Sequence, residues 1–193
     1  MKTLFDMIIG LTGKNASGKG EVANYLKSKN FIYYSLSDVI REEATKRGLE
    51  HSRKNLIGLG NQLREKFGPN YLAKKINNKI KQQFKKNKNQ DFVIDSIRNP
   101  FEAKELMENN GFVLVGVKAP IEIRFKRLLE RNRLGDAKTL EEFKTQEEKE
   151  NLKSNTNQQL DATFKLAKKV IMNKSTLEEM YNKIDELLKG INK

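Results

Sequence analysis

The sequence predicts a three-layer α/β fold: a five-stranded parallel sheet flanked by helices and carrying two helical insertions, in one domain of 193 residues. Three observations predict it. Short apolar or β-branched segments alternate with amphipathic helical ones, and that alternation implies parallel strands joined by right-handed crossovers. A glycine-rich turn follows the first apolar segment and opens the first helix. Two polar, helix-rich stretches, at 37–88 and 132–160, interrupt the alternation, leaving a core at 1–36, 89–131 and 161–193. A chain of this length has the size of one domain and buries a substantial core.

The elements follow in order. LFDMIIGL (4–11) is an apolar first strand that runs into the turn, and Val22, Ala23 and Leu26 then take helical spacing. NFIYYSL (30–36) is aromatic and β-branched, as a second strand should be. SDVIREEATKRG (37–48) opens on a Ser or Asp cap and stops at Gly48, and SRKNLIGLGNQLREKFG (52–68) is a helix with internal glycines. In the next segment Leu72, Ile76, Ile80 and Phe84 recur every four residues, which leaves its many lysines mainly on the other faces. DFVIDS (91–96) is a short strand ending in an acid, NPFEAKELMENNG (99–111) a helix with proline in its first turn, and GFVLVGVKAP (111–120) a strand buried on both faces. IEIRFKRLLERNR (121–133) is helical and 134–159 a highly polar excursion; KKVIMN (168–173) is the last strand and TLEEMYNKIDELLKG (176–190) a closing amphipathic helix.

Composition removes several function classes. There is no cysteine and a single histidine, His51, which excludes disulfides, thiolate chemistry and histidine-cluster metal sites and fits a reducing cytoplasm. No apolar run approaches eighteen residues, so no membrane span is expected, and Asp6 breaks the apolar N-terminus in a way that a signal peptide would not. The net charge of +13 attracts polyanions, but it comes from 29 lysines against 9 arginines, and most of that lysine reads as solvated surface. Nucleic acid is disfavoured as a partner, because on the basic face of the 69–87 helix no aromatic residues interleave the lysines as stacking platforms. The few arginines are the informative cations.

The segment Gly13-Lys14-Asn15-Ala16-Ser17-Gly18-Lys19 fits G-x-x-x-x-G-K in the required context, after a strand and opening a helix. Its glycines let successive amide N–H groups converge on phosphate oxygens, the helix N-terminus adds a favourable dipole, and Lys19 reaches the outer phosphates. Where a hydroxyl normally ligates magnesium, the chain has Gly20 and then Glu21. Magnesium keeps several waters and needs few protein ligands, so the loss is chemically tolerable, and Glu21 reads as a first-turn acid. Gly18-Lys19-Gly20 resembles the loop of adenylate-kinase-type nucleoside monophosphate kinases, whose magnesium is held largely by phosphates and water. That family usually follows with threonine where this chain has Glu21. The resemblance implies a P-loop NTPase fold, ATP and Mg2+ as cofactors, and Gly13 through Glu21 as the ATP cradle.

It also orders the rest of the chain. Ser37-Asp38-Val39-Ile40-Arg41 resembles the "Asp, two apolar, Arg" segment in which monophosphate kinases clamp the acceptor phosphate with a planar guanidinium fork; by residues alone it is a helix cap with an exposed arginine. Arg64, in GNQLREKFG, looks like part of a similar segment in phage-type deoxynucleoside monophosphate kinases. Asp95 ends the third strand and Arg98 follows three residues later, where an acid orients magnesium-bound water and an arginine points into the crevice at the strand's C-terminal edge. That segment lacks the glycine and proline of adenylate kinases, which disfavours an adenylate kinase proper, and lies closer to phage deoxynucleotide kinases and an archaeal kinase-like family. Arg124, Arg127 and Arg131 share one helical face, with Arg133 beyond. Arg127, Arg131 and Arg133 are the candidate lid arginines that stabilise the transferring phosphoryl and exclude water, while Arg124 is as readily structural. Asn173, with Lys174 and Ser175, follows the last strand, where related kinases seat adenine.

In this scheme 37–88 is the acceptor-binding lobe and 132–160 the lid. The expected reaction is transfer of the γ-phosphoryl of ATP to a nucleoside or deoxynucleoside monophosphate, by a cytoplasmic monomer or homodimer with Lys19, Asp95 and the lid arginines catalytic. Dephospho-coenzyme A kinase shares the plan and is the first alternative. It needs a general base for a hydroxyl acceptor, and Asp38 is the candidate. A nucleotide-binding regulatory or RNA-associated relative of adenylate kinase is the second.

Overall fold

The computed structural model describes residues 7–132, 135–151 and 154–191. Five strands, β1 (Ile8–Thr12), β2 (Ile32–Ser35), β3 (Phe92–Asp95), β4 (Phe112–Lys118) and β5 (Lys169–Met172), form one all-parallel sheet in the order β2-β3-β1-β4-β5. The strand that feeds the glycine turn is therefore central, and all five of its residues are buried. Side chains alternate across the sheet and build two cores. Ile8, Phe92, Ile94, Phe112 and Leu114 pack with α2 (Leu36–Lys46), α3 (Arg53–Phe67), α4 (Tyr71–Lys86) and α5 (Pro100–Met107). Ile9, Leu11, Val93, Val115, Val117 and Ile171 pack with α1 (Lys19–Ser28) and a C-terminal helix spanning Leu177–Ile191.

On α4, Leu72, Ile76 and Ile80 are buried and the lysines lie outward, as the four-residue spacing predicts. The proline of α5 sits at its start behind Asn99, whose side chain caps Phe101 N at 2.9 Å while Glu102 caps back to Asn99 N at 3.1 Å. Helix α6 (Ile121–Arg131) follows β4.

The polar stretch 134–159 is partly helical, as the insertion reading expects, though the sequence pattern delimits no helix within it. It holds a helix, α7 (Leu140–Lys149), capped by Thr139 and seated by the fully buried Phe143, which packs with Leu128 and Ala137 in a third small cluster. A short helix, α8 (Leu160–Phe164), leads to β5, which makes the Leu177–Ile191 helix α9. Between α7 and α8, Asn99 Nδ2 donates to the carbonyls of Asn155 and Asn157, both at 2.8 Å, and Gln159 N donates to Arg98 O at 2.8 Å. The returning end of the insertion is thus laced to the loop that follows β3. Among the described residues no helix is long and apolar enough to cross a membrane.

Candidate active site

The glycine loop joins β1 to α1 at the C-terminal edge of the sheet, where the positive φ values of Gly13 (142°), Ala16 (57°) and Gly18 (100°) curl it back on itself. Close packing enforces two of those choices. A Cβ on Gly13 would lie 2.2 Å from Val117 O, and one on Gly18 2.0 Å from Asn173 Nδ2. Neighbouring elements hold the loop by its carbonyls: Asn173 Nδ2 donates to Ser17 O at 3.0 Å and Arg124 Nη1 to Asn15 O at 3.3 Å. Lys19 Nζ donates to Gly13 O at 2.8 Å and Lys14 O at 3.0 Å, so it lies folded over the loop it serves. Burial lowers its pKa to about 8 against the opposing pull of Asp95.

Asp95 and Arg98 stand beside this loop on the edge formed by β3. Asp95 Oδ1 is buried without a hydrogen-bond partner, and so are Ser17 Oγ, Arg98 Nε and Arg127 Nη1. Buried polar atoms without partners are costly, and their convergence here marks places where a ligand completes the bonding. Arg98 is desolvated enough that burial, partly offset by Glu150, depresses its pKa below the ordinary arginine value. Arg127, from α6, donates Nη2 to Asn173 Oδ1 at 3.1 Å. All four of these residues line a cleft of about 1160 Å³ that also reaches Arg41 and Arg53 of the helical lobe. The donor set fits a polyphosphate: curled amides, a half-buried lysine and partly unsatisfied guanidinium groups. It also fits a hydrated magnesium beside Asp95, whose free oxygen is an acceptor.

A family profile described as an AAA domain matches residues 9–153. A UPF0200 protein of Pyrococcus abyssi is 34% identical over 188 residues, covering 96% of this chain and 97% of its own. The chain belongs to the UPF0200 family. A second UPF0200 protein, from Sulfurisphaera tokodaii, is 32% identical with 95% of this chain and 97% of its own covered. Among solved structures, TT1252 from Thermus thermophilus superposes with a TM-score of 0.62 at 22% identity, covering 96% of this chain and 98% of that one. Shikimate kinase from Acinetobacter baumannii, in complex with shikimate, does so with 0.56 at 14% identity, covering 97% and 95%. At such identities the likeness is one of fold. This UPF0200 chain carries a kinase-like P-loop domain.

Within it, the sequence-predicted residues fare unequally. Lys19, Asp95, Arg98, Arg127 and Arg41 meet at the cleft, whereas Asp38 does not belong to its wall. Asp38 lies on the exposed side of α2 and accepts from Arg41 Nη1 at 2.8 Å, so the base expected there is misplaced. Arg64 reaches the cleft wall but is only 3% exposed and gives Nε and Nη2 to the fully buried Glu102 at 2.9 and 2.8 Å. A buried guanidinium needs such a partner, and Arg64 serves as the strut under α5 rather than as the free clamp expected. Asn173 has both ends of its amide engaged, on Ser17 O and Arg127, so it braces the loop instead of waiting for adenine.

The guanidinium groups of α6 converge only in part as the shared helical face predicts. Arg124 turns inward to Glu147, whereas Arg127 and Arg131 both line the cleft, Arg131 bonded there to Asp136 at 2.9 and 2.8 Å. Arg133 lies outside the described residues. Gly20 and Glu21 are exposed at the mouth of the loop, and a Cβ on Gly20 would meet nothing within 4 Å. Lys14 leans to Glu147 (3.8 Å) and Asp161 (3.6 Å), which ties the α7–α8 region to the loop. Sequence reasoning missed Arg53, Glu147, Glu150 and Gln158, the last accepting from Arg98 Nη1 at 3.2 Å. All are polar residues in polar surroundings, and nothing in their spacing sets them apart.

Proposed function

We propose that this UPF0200 protein transfers the γ-phosphoryl group of ATP to a nucleoside or deoxynucleoside monophosphate. The observation that carries the reading is the pairing, across one cleft, of the Lys19 loop with Arg98, a half-buried arginine whose buried Nε has no partner. An acceptor that is already an anion needs clamping between such groups and no deprotonation. In this scheme the loop amides and Lys19 hold the donor phosphates, Arg127 neutralises charge that develops on the transferring group, and Arg98 and Arg41 orient the acceptor. Asp95 and the loop residues would hold a magnesium ion through its water shell, and that ion would supply positive charge to the donor phosphates.

The test is ADP release measured with a panel of nucleoside and deoxynucleoside monophosphates and dephospho-coenzyme A. We expect turnover with at least one monophosphate, its loss in Lys19→Ala, and in Arg98→Ala a rise in acceptor KM of about tenfold or more, the scale of one charge-assisted contact. Turnover with no acceptor refutes the proposal. One observation favours a hydroxyl acceptor such as dephospho-coenzyme A as a second reading: Asp95 Oδ1 is unpartnered and stands where a general base would. Preference for that substrate over every monophosphate would select it.

A further inference from the structure

Arg53 is the first residue of α3 and lines the cleft, yet its guanidinium bonds across to Glu150, which caps the C-terminus of α7. Its Cβ also lies near the start of the insertion, where a Cβ on Gly135 would meet it at an ordinary contact distance of 3.9 Å. One arginine of the acceptor lobe thus stands beside both ends of the α7 insertion. The Arg53 side chain is 25% exposed toward the cleft and that of Glu150 only 5% exposed.

The pair is unevenly satisfied. Glu150 Oε2 is buried without a partner, and so is Arg98 Nε. The two groups feel each other's charge: Glu150 is the main influence opposing burial on Arg98, whereas the Arg53 charge acts in the same direction as burial. A carboxylate serving only as structure would place both oxygens on donors, as Glu102 and Glu147 do. Here the carboxylate is bonded to one cleft arginine, Arg53, and leaves its other oxygen idle, while Arg98, which lines the same cleft, has an idle Nε: the arrangement of a weaker anion standing in for a better one.

We propose that Arg53 is a second contact for the acceptor's phosphate and that Glu150 is its internal competitor, so that acceptor binding exchanges the Glu150 carboxylate for the acceptor's anion on Arg53. A phosphate offers more acceptor oxygens and more charge than a carboxylate, and two converging guanidinium groups favour it. The exchange also frees the C-terminal end of α7 from the acceptor lobe, so Glu150 is a positioning residue that ties lid placement to occupancy of the acceptor site. The proposal rests on the kinase reading above for the name of the anion, not for the exchange.

The test is calorimetric titration of inorganic phosphate into full-length protein saturated with magnesium and a non-hydrolysable ATP analogue, which blocks the loop. Glu150→Gln should bind phosphate about threefold to tenfold more tightly, and Arg53→Ala about tenfold more weakly. The double variant should match Arg53→Ala, and Arg53→Lys should fall between Arg53→Ala and the wild type. Melting curves of each variant verify folding, and Glu150→Gln preserves shape. An unchanged affinity in Glu150→Gln, the same gain in the Arg53→Ala background, or no phosphate binding to any variant overturns the proposal. The two readings part cleanly. If the cycle behaves as expected but no acceptor in the panel supports ADP release, the exchange stands and the monophosphate assignment falls; if turnover is robust and the cycle is flat, the reverse holds.

Discussion

Lys19 has a pKa lowered to about 8 by burial, so the free site passes from a charged to a neutral lysine within the range where enzymes are assayed. Donor phosphates favour the charged form, and nucleotide binding should therefore take up protons. The affinity should fall as pH rises through 8, by about tenfold one unit above it. Calorimetry in two buffers of different ionisation enthalpy measures the uptake, and a value of zero above pH 8 would contradict this assignment. The sign for stability is the opposite. The unfolded chain holds the Lys19 proton up to about 10.5 while the folded one releases it near 8, so this residue makes the ligand-free protein more stable as pH rises between those values. The glycines of the same loop separate just as sharply. Gly18→Ala strains a positive φ and drives a methyl into Asn173, whereas Gly20→Ala enters open space. Nucleotide binding should collapse in the first and stay within about twofold in the second, where helix propensity even gains.

Helix α7 shows why parts of the site were not legible at the level of elements. Its buried stripe is Phe143, Glu147 and Glu150, at i, i+4 and i+7, so the period is helical but two of the three inward positions are acids. A search for apolar periodicity passes over such a helix, because its core-facing partners are the cations Arg124, Lys14 and Arg53 rather than other apolar groups. The strands and the phosphate loop could be read for the converse reason: their burial is apolar, and glycine and lysine sit there at fixed offsets. The positions of Asp95 and Arg98 could be read because a strand end fixes them. The fate of Arg64 could not, since the spacing along α3 says nothing about Glu102 arriving from α5, and spacing also does not reveal that Asp38 and Arg131 are engaged by near neighbours in the chain, Arg41 and Asp136. Breaking the α6–α7 pair tests this account. Glu147→Ala leaves Arg124 buried without its carboxylate and should cost about 3–5 kcal/mol in urea unfolding. The loss should be smaller in Glu147→Gln, and a cost below about 1 kcal/mol in Glu147→Ala would show that α7 is held by Phe143 alone.

Over the whole molecule, the cleft is where separately built parts meet. The loop belongs to the central strand, Arg127 to α6, Arg98 to the end of β3, and Arg41 and Arg53 to the helical lobe. Arg98, through Gln158 and Gln159, is also the anchor of the returning lid segment. A ligand that satisfies the idle donors of several parts at once binds only the assembled form, and by mass action it stabilises that form by about 2.7 kcal/mol at one hundred times its dissociation constant. For a domain of this size that corresponds to a rise in melting temperature of about 5–10 °C. Magnesium and ATP together should produce such a shift in the wild type. It should vanish in Lys19→Ala, which leaves the elements intact but removes the loop lysine proposed above to hold the donor phosphates. Because the chain carries a net charge of +13, the shift should shrink as salt is raised, through screening of the field that gathers the anion. A wild-type shift that survives in Lys19→Ala would mean that ATP stabilises the protein from some place other than this cleft.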